Sequence, residues 1–299
     1  MSIAFQYWYL MQGGEGLPAG AIAYKNRVEA DGGTTTSLGC VPDEVWAWVA
    51  PSYNLETQAL LDRANTEGFA LPSDANIILI SDAIESMKTS GAWEKADRIG
   101  FWANDSGSIN FGRINAKNPS GDLASIVNGV SFVNKKGIKG DGVSAYVSTA
   151  YNPTTDAVNY GIDSASILVY QYEVPTVGQL LVGSNVSIVR IQALNSSIQR
   201  LNITGNLDIP ANFAQTGLIG LHKKTSTNVD IQINGTLTSA TYSANSLLPD
   251  FDLTLLAGVS LNFYSNTGIS FDFMGGDISS SAISVSTAMN NYYNELQLL

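Results

Sequence analysis

In the stretch NVDIQINGTL, residues 228–237, apolar and polar side chains change places at every step. Val229, Ile231 and Ile233 fall on one side of an extended chain, and Asp230, Gln232 and Asn234 on the other. This two-residue period marks a strand, because successive Cβ atoms of a pleated chain point to opposite faces. Asn234-Gly235 then supplies a hairpin: a type I′ turn needs positive φ at both central positions, which Asn and Gly tolerate. Similar strand candidates are SILVYQYE (166–173), VSIVRIQ (186–192), IQRLNI (198–203), GLIGLHK (217–223), LTLLAG (253–258), LNFYS (261–265) and ISFDFM (269–274). No helical run interrupts them, which excludes an alternating βαβ chain. Many short strands separated by Gly, Asn, Ser and Asp predict a sandwich or barrel.

Before Asn104 the period is 3.6. PSYNLETQALLDRANTEG predicts a helix over about 55–65, with Gly68 near its end. In LPSDANIILISDAIESMKTSGAW, Ser73 is an N-cap and Asp74 lies in the first turn. Ile77, Ile80, Ile84 and Met87 form one apolar stripe, and Gly91 stops the helix. All five tryptophans lie in the first 102 residues, and seven of nine glutamates precede Asn104. A third helix closes the chain in SVSTAMNNYYNELQLL, with Met289, Tyr292, Tyr293 and Leu296 on one face and Ser286 or Thr287 as cap. The expected division is 1–53, an attachment or assembly segment; 54–104, a helical region; and 105–299, a β-sandwich with its C-terminal helix.

Charge narrows the partners. The chain of 299 residues carries a net charge of −11, and only 14% of its residues are charged. A nucleic-acid binder needs a basic footprint. The two basic clusters, Lys135-Lys136 with Lys139 and Lys223-Lys224, read as solvated turns. One cysteine, Cys40, forbids an intrachain disulfide and a cysteine zinc site and reads as a small buried apolar residue. Met1 to Met11 is apolar but lacks a basic flank and stops at Gly13-Gly14, so neither a signal peptide nor a membrane span is expected. The expected site of folding is a cytoplasm.

The run NKKGIKGDGVSAYVSTAYNP (134–153) has the glycines of a phosphate loop without its chemistry. Gly137, Gly140 and Gly142 are followed by no Lys-Ser/Thr pair. They lead instead into Val143, Ala145 and Val147 alternating with Ser144, Tyr146 and Ser148, which is a strand. Without a helix N-terminus no dipole faces a phosphate there. The glycines are read as serving a tight turn.

The longer run from Gly107 to Thr155 resembles the opening of concanavalin A-like (laminin G-type) sandwich domains in bacteriophage virion proteins. The carrying residues are Val130–Val133, the turn Gly137-Ile138-Lys139-Gly140-Asp141-Gly142, and the strand end Ser148-Thr149-Ala150-Tyr151-Asn152-Pro153. Ile138 stands where an aromatic is common and Ala150 where Gly is common. VDIQINGTLTSATYSANSLLPDFDLTLLAG is similar to that family's hairpin, SAISVSTAMNNYYNELQ to its terminal helix, and ISDAIESMKTSGAWEKADRIGFWA to the helix and Gly-x-Trp before the sandwich. YKNRVEADGGT (24–34) resembles a short motif of phage structural proteins. The resemblance implies a fold that is mainly β with a smaller α-containing N-terminal part, ending in an antiparallel β-sandwich (jelly roll). It implies a virion structural protein, a fibre, spike or capsid decoration, with copies of itself and other virion proteins as partners. The expected location is the virion, assembled in a host cytoplasm.

Concanavalin-like sandwiches include glycoside hydrolases, whose retaining members need two carboxyl groups about 5 Å apart. The E-x-D-x-x-E pattern is absent, and Asp250 and Asp252 read as a turn entering a strand. His222 is read as a solvated or hydrogen-bonded surface imidazole at a strand end, outside any triad. No catalytic residue and no cofactor is expected. Some laminin G-type domains hold calcium, for which Asp250, Asp252 and Asp272 are the candidates, though their spacing fits no loop template. The alternative to a structural role is a host-glycan adhesin, since aromatic faces and amides recognise sugars. Tyr146, Tyr151 and Tyr242 are the candidate glycan contacts. Trp46 and Trp48 are the candidate assembly contacts, because aromatic anchors dominate interfaces.

Overall fold

The computed structural model describes residues 53–176, 180–184, 189–192, 198–202, 207–208, 213–241, 247–258 and 262–299. Trp46, Trp48, Cys40, the 24–34 motif and Tyr242 lie outside them. The chain divides into two compact units, Met1–Tyr53 and Asn54–Leu299. The described residues, Tyr53 apart, belong to the second. No seam runs near residue 104, because helices and strands from both sides of it pack together in this unit.

Helix α1 spans Leu55–Thr66 and is capped by Asn54, whose Oδ1 accepts from the Thr57 amide at 2.9 Å. Helix α2 spans Asp74–Thr89. Ser73 Oγ caps it by accepting from the Asn76 amide, and Ile77, Ile80, Ile84 and Met87 are buried along its stripe. The short α3, Ala92–Lys95, leads straight into strand β1, Ala96–Phe101. Strands β2 (Ser125–Val127), β3 (Ser131–Val133), β4 (Gly137–Lys139), β5 (Tyr146–Ser148) and β6 (Ala165–Glu173) follow. Next come β7 (Leu180–Gly183), β8 (Arg190–Gln192), β9 (Ile198–Gln199), β10 (Leu207–Asp208), β11 (Gly217–Lys223), β12 (Asn228–Ile233) and β13 (Thr236–Thr241). The last strands are β14 (Thr254–Leu255), β15 (Ala257–Gly258), β16 (Phe263–Tyr264) and β17 (Gly268–Gly275), before helix α4, Ala282–Leu298.

The strands form an antiparallel sandwich, the class that the alternation predicts. The large sheet runs β13-β12-β11-β6-β17-β4-β3, and β1 pairs with β17 beyond the stretch that β4 occupies. The smaller sheet runs β2-β5-β14-β7-β8. Ile167, Val169, Ile219, Leu221, Val229 and Ile231 of the large sheet share one apolar core with Val147, Leu181, Ile191 and Leu255 of the smaller. The β12–β13 hairpin turns at Asn234 (φ 50°) and Gly235 (φ 85°), as a type I′ turn requires. Ala150, where a glycine was the common residue, takes φ 53° and bears the steric cost of the left-handed region.

The central strands of the large sheet, β12, β11, β6 and β17, are covered on both faces. Helix α4 lies across its outer side, where Phe101 meets Tyr292 edge-on at 5.4 Å and Tyr170 meets Tyr293 at 4.9 Å between ring centroids. Strand β12 therefore buries both faces from Val229 to Gln232, and Asp230 and Gln232 on its second face are not in water. This corrects the reading of His222 and Lys223. His222 and Lys223 are fully buried. Lys223 Nζ donates to the Asn202 carbonyl at 3.1 Å and pairs with Asp163 at 3.5 Å; burial lowers its pKa, opposed by Asp163. Lys224 Nζ pairs with Asp230 at 3.1 Å.

The bonds around His222 fix its proton. The Ile278 amide donates to Ser166 Oγ, which lies 2.8 Å from His222 Nδ1 and donates to it when the neutral ring carries its proton on Nε2. Gln232 Nε2 donates to the Ala282 carbonyl and to Ser286 Oγ, so Gln232 Oε1 faces the imidazole and accepts from Nε2–H at 2.6 Å. The imidazole is neutral with the proton on Nε2. Burial, the largest effect, lowers its pKa; the Gln232 bond and the Asp277 and Asp230 charges oppose this, and the Lys224 charge adds to it. The same bonds relocate the start of α4. It begins at Ala282 rather than at a Ser286 or Thr287 cap, and Ser286 spends its hydroxyl on Gln232 inside the helix.

Between the two sheets lies a second buried polar group. Arg98 Nε donates to Asp272 Oδ2 at 2.9 Å, Arg98 Nη1 to the Thr149 carbonyl at 2.9 Å, and Trp102 Nε1 to Asp272 Oδ1 at 2.6 Å. Arg98 is 1% and Asp272 0% exposed, a burial that denies both charges compensation by water. Gly100 makes the room: a Cβ there would collide with the Asp272 carboxylate and come within 2.9 Å of Trp102 Nε1.

Replacing one partner should leave the other charge buried and unpaired. Arg98→Ala or Asp272→Ala is expected to lower unfolding free energy by about 3–5 kcal/mol, read by urea denaturation; a loss near zero would refute the pairing. The single histidine gives a second test. Its folded pKa lies below 6.5, so stability is complete above that pH and falls as pH drops through the 6.5 of the unfolded chain, which takes up a proton the folded imidazole refuses. The imidazole resonances should titrate with a midpoint below 6.5, and the acid-side slope of stability below pH 6.5 should shrink in His222→Gln.

Candidate functional site

The glycine run resolves into strand and turn. Gly137 opens β4 at φ 120° and lies so close to β17 that a Cβ would meet the backbone of Ile269 and Ser270. The turn after β4 is held by Asp141. Its Oδ1 accepts the amides of Val143, Ser144 and Ala145, each at 2.8 Å, and Oδ2 accepts the Ser144 hydroxyl at 3.1 Å. Desolvation pushes this carboxyl up, but the three amides and the hydroxyl outweigh it and hold its pKa at about 2. The amides that a phosphate would need are already occupied by the chain's own carboxylate. Val143 is 73% exposed, so the strand proper starts only at Tyr146.

The residues that bring chemistry to the surface meet on the outer side of the smaller sheet. Val147 and Leu255 face the core, so their neighbours Tyr146, Ser148 and Thr254 face outward. With Asn152, Asp250, Phe251 and Asp252 they line a recess of about 370 Å³. Phe251 is 43% exposed, and the Tyr146 ring leans on Tyr264 at 6.3 Å. Two hydrogen bonds brace the polar groups: the Ser148 hydroxyl donates to Asp252 Oδ2 at 2.8 Å, and Asn152 Nδ2 donates to Asp250 Oδ1 at 3.4 Å. Asn152 is itself held by its own amide, which donates to Asp156 Oδ2 at 2.8 Å, and by the Thr154 amide, which donates to Asn152 Oδ1. The recess thus offers aromatic surface beside carboxylates, an amide and hydroxyls.

The sequence candidates separate here. Tyr146, Asp250 and Asp252 come together in the recess. Tyr151 does not join them. It is 3% exposed, packs edge-on to Tyr160 at 6.3 Å and donates its hydroxyl to Asp97 Oδ2 at 3.0 Å, so it is a core residue and not a surface contact. Burial, with Asp97 beside it, pushes its phenol up. Asp272 is likewise removed from the calcium set, because its carboxylate is held by Arg98 and Trp102. Among the described residues no three His, Cys, Asp or Glu gather as a metal site would require. Sequence reasoning missed Ser148, Asn152, Phe251 and Thr254. The signal for Ser148 was its alternation with Val147; nothing local distinguishes Phe251 from a core phenylalanine.

The chain matches no protein-family model and no curated protein sequence. Among solved structures it is similar to domain 4 of AbnA, a GH43 extracellular arabinanase from Geobacillus stearothermophilus, in complex with arabinotriose. The identity is 13% and the TM-score 0.40, over 64% of this chain and 98% of that one. It is also similar to Trypanosoma rangeli sialidase (10%, TM-score 0.39, over 72% of this chain and 39% of that one). A third is the binding domain of Botulinum Neurotoxin DC in complex with SialylT (15%, TM-score 0.32, 60% and 48%). The two-sheet sandwich itself is established by the strand pairings of this chain.

Asp141→Ala should loosen the turn before Tyr146 by roughly 1 kcal/mol at most, the size of a lost cap on an exposed group. In the parent this contribution is complete above pH 3.8 and is lost as pH falls toward 2. Comparing the two proteins by thermal denaturation across that range checks the sign: the difference should close as pH falls and not widen.

Proposed function

We propose that this chain is a binding module whose rigid sandwich displays the Tyr146–Phe251 recess to a glycan, and that it acts without catalysis. The observation that carries the reading is the composition of that one surface recess: aromatic rings at Tyr146 and Phe251 beside the hydrogen-bonding groups of Ser148, Asn152, Asp250 and Asp252. Sugars need both kinds of surface, since their C–H faces lie on aromatic rings while their hydroxyls require directed partners. Asp252 and Asp250 each accept a bond from a neighbouring side chain, which fixes them as ligand acceptors.

The setting implied by the sequence resemblance is a virion surface, with the chain displayed in many copies as fibre, spike or decoration after assembly in a host cytoplasm. Strand β13 favours that second reading. It is the edge of the large sheet, its sequence TLTSAT carries no charge, and its residues are exposed or nearly so. An edge without lysine, proline or bulge is open to lateral pairing with another copy.

A glycan array probed with the full-length protein tests the main reading. Selective signals that fall at least tenfold with Tyr146→Ala are expected, with no sugar released from the same glycans on prolonged incubation. Absence of any glycan signal would remove the binding reading, and released reducing ends would make the protein a hydrolase. Sedimentation of the same sample tests the multi-copy setting, for which a monomer at every concentration would be the adverse result.

A further inference from the structure

The recess has a polarity that sets what it accepts. Asp252 Oδ2 is engaged by Ser148 and Asp250 Oδ1 by Asn152, which leaves the second oxygen of each carboxylate for a ligand. The two aspartates flank Phe251 in sequence and line the recess with it. No lysine or arginine is among the lining residues. Arg190 stacks on Phe263 at 5.1 Å, and neither residue belongs to the lining. Asp156, outside the lining, accepts the backbone amide of Asn152 and so adds a third carboxylate next to a lining residue. The whole chain adds to this field with its net charge of −11.

Ionised carboxylates only accept hydrogen bonds. A ligand seated on them must donate. Hydroxyl pairs of an uncharged sugar donate, as does the ammonium of an amino sugar. The carboxylate of a sialic or uronic acid only accepts and brings a like charge. At contact distance in water that repulsion weakens binding roughly fivefold for each carboxylate, and a lost charge-assisted hydrogen bond weakens it by a further factor of roughly ten.

We infer that the Asp250–Phe251–Asp252 side of the recess is a charge filter that admits saccharides without acidic groups, the apolar sugar face on Tyr146 or Phe251 and vicinal hydroxyls on the two carboxylates, and turns away sialylated and uronic-acid glycans. This rests on the glycan-binding reading above and goes further by naming the class of sugar and the residues that select it.

The experiment uses the full-length protein on an array of uncharged, amine-bearing, sialylated and uronic-acid oligosaccharides, with Asp250→Asn/Asp252→Asn and Tyr146→Ala beside it and melting curves to confirm that each variant is folded. The expected hits are uncharged or amine-bearing, weakened roughly tenfold or more in the Asn double variant, with acidic analogues of the same sugars gaining relative to them. Acidic glycans bound by the parent and lost with Tyr146→Ala would overturn the filter while leaving glycan binding in place. Uncharged hits that survive unchanged in the double variant would also overturn it. No hit of any class would remove the glycan reading and the filter together.

Discussion

The pairing of Arg98 with Asp272 joins parts of the chain that are otherwise far apart. Arg98 lies on β1, directly after the helices, and Asp272 on β17, the last strand. A third bond reaches the Thr149 carbonyl just beyond β5 of the opposite sheet. One guanidinium therefore ties the helical beginning, the closing strand and the smaller sheet. A charge this deep must be neutralised in place, so the surroundings are arranged around it. Trp102 supplies a third partner to the pair, and Gly100 withholds the side chain that would displace it. The continuity of residues 54–299 as one unit follows from this interaction and from the β1–β17 ladder beside it.

Coverage of the large sheet's central strands on both faces has a second consequence. Polar residues that alternate with the core set lie under α4, and each needs a partner. The Ser166–His222–Gln232–Ser286 chain meets that need and anchors the helix by hydrogen bonds as well as by Tyr170–Tyr293 and Phe101–Tyr292 packing. The Tyr292 hydroxyl donating to the Ala103 carbonyl fastens the same helix to the end of β1. The outer face of the smaller sheet carries the Tyr146–Phe251 recess instead, open to solvent, and the surface chemistry is found there. The division between the two sheets is thus one of coverage: one outer face is sealed by a helix and the other stays open to solvent.

Much of the local structure was legible. The Ser73 cap, the 77-80-84-87 stripe, the Asn-Gly turn and the strand at 217–223 appear where short-range spacing put them. Strand β1 was not anticipated, because Asp97 and Arg98 break the apolar run that marks a buried strand; their burial is made tolerable by Tyr151, Asn159 and Tyr160 around Asp97 and by Asp272 and the Thr149 carbonyl around Arg98. LTLLAG reads as one strand but is cut at Leu256, which takes φ 68°. Of the recess, Tyr146, Asp250 and Asp252 were visible as separate residues, while their meeting depends on β14 lying beside β5 across about a hundred residues of chain.

What the sequence alone determined is whatever depends on neighbours a few residues away: the change from a 3.6 to a 2.0 period, helix caps, the hairpin turn, and a charge balance that excludes a basic footprint. What only the tertiary structure decided is which polar side chains are wet. Tyr146 and Tyr151 sit five residues apart in the same run, yet one lines a recess and the other supports Asp97 in the interior. His222 carries the same pattern signature as a solvent-facing strand residue and lies beneath a helix that begins sixty residues later. The physical reason is that exposure is a property of what packs across a face, and a strand's own alternation says only that it has two faces.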